Sequence, residues 1–125
     1  MLRIVPVYAA ILALIYVALA VMVIRLRLSE RVSLGAGDSP ALERQIRVHA
    51  NFAEYVPFAL LLLAMAELRG AAPFWLHALC LLLIAARLAH AAALSTATGI
   101  APLRSFGMVG TFSALIGGAV LIFTT

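Results

Sequence analysis

Four apolar stretches, each close to twenty residues long and separated by short joints, constrain this chain more than any other feature. They run over about 4–24, 46–68, 74–94 and 105–123. About 20 apolar residues in helical form cross the roughly 30 Å of bilayer hydrocarbon, so the pattern predicts an all-α, integral membrane four-helix bundle. Hydrophobic residues make up 66% of the chain and charged residues 11%. A soluble domain carries about a quarter of its residues as charges, and here the four spans and their joints leave no room for one. Residues 1–125 read as a single membrane domain. Met1-Leu2-Arg3 ahead of the first run, with Ala18-Leu19-Ala20 inside it, imitates a signal peptide. The run nevertheless continues through Val21-Met22-Val23-Ile24, which gives it the length of a spanning helix.

The formal charge is +4, and every basic residue other than histidine is arginine. No basic run or aromatic-interleaved patch is present, so the charge reads as topology and not as affinity for nucleic acid. Arg25, Arg27, Arg31, Arg44 and Arg47 cluster around the first joint and Arg104 follows the third, whereas Arg3 and Arg69 stand alone at the other side. The positive-inside rule then puts the arginine-bearing joints in the cytoplasm and both termini outside. The lone Cys80 excludes a disulfide within the chain and reads as a small core residue.

One segment carries polar chemistry into the membrane. Ser39-Pro40 reads as an N-cap with proline at the first helical position and Glu43 in the first turn. A helix from there to Leu68 is roughly 43 Å long, more than the hydrocarbon needs. Glu43, Arg47, Asn51 and Glu54 follow at steps of four, four and three, hence on one face. Pro57 lies just beyond, where its missing N–H predicts a kink. On the third span, Arg87 and His90 sit one turn apart, at the depth of Asn51 and Glu54. The fourth span offers a small-residue face of Gly107, Gly110, Ala114 and Gly117 or Gly118.

Three uses of these groups remain open from the residues alone. In the first, Glu43–Arg47 is a surface pair and Glu54–Arg87 an interhelical tie. In the second, the stripe lines a cytoplasm-facing pocket where Arg47 clamps a carboxylate and Glu54 pairs with an amine. In the third, His49 and His90 hold a haem. No nucleophile–base pair, metal cluster or phosphate loop is visible.

Glu43-Arg44-x-x-Arg47-x-His49-x-Asn51-x-x-Glu54-Tyr55-x-Pro57 resembles the signature of the membrane-associated eicosanoid and glutathione metabolism family, MAPEG. Ala86-Arg87-Leu88-Ala89-His90 is similar to bacterial members, and the resemblance covers essentially the whole chain. It implies a bacterial inner-membrane homotrimer that binds glutathione between subunits, as co-substrate or ligand. It implies transferase or peroxidase activity toward lipophilic small molecules that enter from membrane lipid, or a non-catalytic lipid-binding or scaffold role. The implied glutathione-binding positions are Arg47, Asn51, Glu54 and Tyr55, joined by Arg87 and His90. Arg27 or Arg25 matches the family's arginine on the first span. Where Ala101-Pro102 is aligned with the enzymes, Gly99 occupies the place of the thiolate-stabilising arginine, and His90 and Leu94 replace two tyrosines. No catalytic residue is assigned, and no metal is implied.

Overall fold

The computed structural model describes residues 1–95 and 101–125. Its helices are α1 (Val5–Glu30), α2 (Pro40–Leu68), α3 (Pro73–Ser95) and α4 (Ala101–Thr124). All four are long and apolar enough to cross a membrane. The molecule is an all-α integral membrane four-helix bundle.

The helix ends explain where the spans and the helices differ. α1 does not stop with its apolar run at Ile24 but continues six residues to Glu30, because nothing in Arg25–Glu30 breaks a helix. Arg31 ends it by adopting a left-handed conformation (φ 58°), with the Val32 N–H closing onto the Arg27 carbonyl at 3.1 Å. α4 likewise starts at Ala101 and not near Ser105, since proline is tolerated in a first helical turn. α2 begins as its sequence predicts. The Ser39 hydroxyl accepts from the Leu42 N–H at 3.0 Å, pairing one of the amides that helix geometry leaves free. Pro57 lies within an otherwise continuous α2.

The C-terminus of α2 turns through Gly70, whose φ of 89° suits glycine. The Gly70 N–H bonds to Glu67 O and the Ala71 N–H to Ala66 O, both at 3.0 Å. This is the paired closure in which the residue after the glycine returns to the last helical turn. Ala66 and Ala71 are both buried in the same apolar cluster. Glu67 has a second use. Its carboxylate accepts from the backbone N–H groups of Arg3 and Ile4 (both 2.6 Å) and Val5 (2.8 Å). It thereby caps the start of α1, where Ile4 has no capping side chain.

α2 packs against each of the other helices, whereas α1 and α4 do not meet among the described residues. Its buried positions, Leu42, Gln45, Val48, Phe52, Val56, Ala59, Leu63 and Ala66, repeat at three or four residues, the period of one helix face. The glycine face of α4 sits against α3. A Cβ on Gly107 would lie 2.7 Å from His90 Cβ and 2.8 Å from Ala86 O, and one on Gly110 would lie 2.7 Å from Ala86 Cβ. Gly118 faces Leu62 of α2 instead. Close backbone approach of this kind is how helices associate in lipid. It fixes α4 rotationally and decides which side chains reach the polar groups of α3.

Candidate functional site

The polar face of α2 borders a half-open cavity of about 320 Å³, to which α3 and α4 also contribute. Arg47, Asn51, His90 and Arg104 line it, with Glu43, Arg44 and Leu94 around the rim. Three of the seven expected binding residues thus face one cavity: Arg47, Asn51 and His90. Glu54 joins them through Arg47, whose Nη2 stands 3.7 Å from Glu54 Oε1. Both side chains of this pair are about half exposed (55% and 51%). Glu43–Arg47 is therefore not the pair that forms; Arg47 reaches two turns down the helix instead.

Arg87 lies behind the cavity, 1% exposed. Its guanidinium does not meet Glu54. Nη2 donates to Asn51 Oδ1 at 2.7 Å and Nη1 to Thr111 Oγ1 at 3.2 Å. Thr111 passes its own proton to Gly107 O at 2.7 Å. The second contact of Nη2 is His90 Nδ1 at 3.3 Å. A guanidinium has no acceptor, so Nδ1 must offer its lone pair, which leaves Nε2 as the ring nitrogen able to donate in the neutral form. The Phe52 ring lies 5.8 Å from the guanidinium carbon, within the range of a cation–π contact. Arg87 is thus a buried cation held by neutral groups, and it orients both Asn51 and His90 toward the cavity they line.

The remaining expected residues lie apart. Tyr55 packs edge-on against Phe112 of α4, with ring centroids 5.5 Å apart. Arg27 is engaged at the α1–α2 connection, donating to Gly35 O at 2.8 Å and more distantly to Val32 O at 3.4 Å. It does not line the cavity. Gly99 lies outside the described residues. His49 stacks on Tyr16 of α1 (centroids 4.8 Å apart) while His90 bonds to Arg87, so the two histidines are not arranged as a pair of haem ligands.

Sequence reasoning did not single out Thr111. The signal was available, because Thr111 is one turn past Gly107 on the packing face of α4, and a lone hydroxyl there must find a partner. Arg104 is the other gain. It stands in the first turn of α4 and extends a guanidinium to the cavity. The site therefore holds several cations against two carboxylates.

Comparison with known proteins adds two findings. The model of the MAPEG family matches residues 5–124. Inner membrane protein YecN of Escherichia coli (strain K12) is 37% identical over 83 residues, 66% of this chain and 63% of that protein. The same protein in Escherichia coli O6:H1 matches to the same extent. The match spans less than two thirds of the length of these curated relatives.

Proposed function

The chain belongs to the MAPEG family, and from that premise we propose that it is an inner-membrane protein that binds glutathione or a similar thiol in the α2 cavity. The observation that carries this reading is the grouping of Arg47, Asn51 and His90 at one polar cavity, with Glu54 paired to Arg47. Arg47 and Arg104 suit the two carboxylates of glutathione and Glu54 its ammonium, each through charge-assisted bonds. A half-exposed ion pair on a spanning helix is poorly solvated by lipid. A neighbouring copy in a homotrimer would cover it, with the site opening to the cytoplasm and the termini outside. Lipophilic electrophiles or peroxides would arrive from the lipid side and be conjugated or reduced by the thiolate. A cavity guanidinium near the sulfur would stabilise that anion, since a nearby cation lowers a thiol's pKa.

A second reading is a non-catalytic lipid-binding or scaffold protein. It is favoured by an apolar groove of about 360 Å³ between α1 and α2, floored by Leu12, Phe52 and Val56. Calorimetric titration of the detergent-purified protein with glutathione, followed by a thiol-dependent turnover assay, separates the two. Binding by the wild type that Arg47→Ala and Glu54→Gln each weaken tenfold, about 1.4 kcal/mol, supports the thiol site. Absence of binding at millimolar glutathione overturns it. Saturable binding without turnover selects the non-catalytic reading.

A further inference from the structure

Arg44 borders not only the α2 cavity but also a separate groove of about 300 Å³ between the end of α1, the start of α2 and the end of α3. Arg25, Arg44, Gln45 and Ser95 form its polar walls, and Met22 and Leu26 its apolar floor. Among the described residues, no acidic side chain lines it. Two features mark it as unfinished. Gln45 is only 6% exposed, and its amide makes one bond, Nε2 to Ser95 Oγ at 3.1 Å, which leaves Oε1 buried without a partner. Arg44 Nε is also buried without an acceptor. A half-turn of the Gln45 amide would let the Ser95 hydroxyl donate to Oε1 and free Nε2 as a second donor. The groove then presents two guanidinium groups and an amide N–H to one space. Buried donors of this kind are ordinarily paired, and the missing partner is an acceptor carrying negative charge.

Position narrows the chemistry. Arg25 follows the apolar run of α1, and Arg44 and Gln45 precede that of α2, so the polar walls stand at the level of the lipid headgroups. Met22 lies on the membrane side of Arg25, and Leu26 stands beside it at the same level. We propose that this groove is a phosphate site, filled by the headgroup phosphate of an anionic phospholipid whose acyl chain runs down past Met22. Basic pockets between spanning helices at this level are suited to such headgroups. The site shares Arg44 with the proposed thiol cavity but stands whether or not that cavity binds glutathione.

The test is native mass spectrometry of the detergent-purified full chain titrated with phosphatidylglycerol. A parallel arm uses inorganic phosphate alone, read by calorimetry. The variants are Arg25→Gln, Arg25→Gln/Arg44→Gln and, at the opposite end of the bundle, Arg3→Gln/Arg69→Gln. Arg25 is exposed, so the single variant keeps the test valid if the double variant does not fold. We expect a retained lipid adduct that the double variant weakens at least tenfold, the single variant weakens several-fold, and the distal pair leaves unchanged. Equal retention by all four proteins, or none by the wild type, overturns the site. Arginine-dependent binding of inorganic phosphate without lipid retention overturns the lipid as its source.

Discussion

Gly107→Ala tests how tightly the α3–α4 contact positions the polar network. The added Cβ would meet His90 Cβ at 2.7 Å, Ala86 O at 2.8 Å and His90 Cα at 2.9 Å. Two of these three neighbours are backbone atoms, so no rotamer change relieves the clash. Relaxed carbon contacts lie at about 3.5–4.0 Å, and α4 must therefore back away from α3 by about 0.8 Å. Overpacking of this sort costs about 1–3 kcal/mol. The same displacement carries Thr111 away from Arg87, stretching the interhelical bond at 3.2 Å, while the Thr111–Gly107 bond moves with α4. Unfolding of the detergent-solubilised protein by sodium dodecyl sulfate, followed by circular dichroism, reads the loss. Glutathione titration of the still-folded fraction reads the movement of His90. Gly118→Ala is the internal comparison, because its nearest neighbour is the Leu62 side chain at 3.2 Å, and we expect a smaller effect. A Gly107→Ala protein within about 0.5 kcal/mol of wild type, the range of an unremarkable surface change, would refute the reasoning.

Three further outcomes follow from the geometry. Thr111→Val removes the acceptor of Arg87 Nη1 at nearly constant volume and should destabilise by about 1.5–3 kcal/mol, whereas Thr111→Ser should stay near wild type in the same detergent titration. Glu54→Gln should change stability by less than about 1 kcal/mol, as befits an exposed pair, while weakening thiol binding tenfold; parallel losses would mark the pair as structural. Glu67→Gln should cost about 0.5–2 kcal/mol through the weakened cap on α1, with faster hydrogen exchange at residues 3–5 and unchanged exchange in α4.

The four spans and the stripe on α2 were legible because apolar length and helical period are properties of single segments. Ser39 as a cap and the glycine face of α4 were legible for the same reason. What escaped depends on how one helix is rotated against another. By charge the sequence offers Glu54 as the partner for Arg87, yet with α4 seated on Ala86 and His90 the guanidinium turns to Asn51 and has Thr111 beneath it. Arg25 and Arg27 are separated by one residue on one helix, yet one borders the headgroup-level groove and the other braces the α1–α2 connection. Local spacing cannot distinguish those fates. Tyr55 shows the same limit, since a position adjacent to Glu54 turns to meet Phe112 and leaves the cavity wall.

The carboxylate of Glu67 gives α1 and α2 a second fastening, at the end remote from their connecting segment. They form a hairpin clasped at both ends, and the glycines of α4 lock α3 and α4 into another. Because α1 and α4 do not touch, the two hairpins are joined chiefly along α2. The polar cavity lies on that seam, with Arg47 and Asn51 on one hairpin and His90 and Arg104 on the other. A molecule bound there acts as a rivet between two preassembled halves. Its arrival or departure should register first as a change in how freely the halves shear past each other, before either half loosens internally.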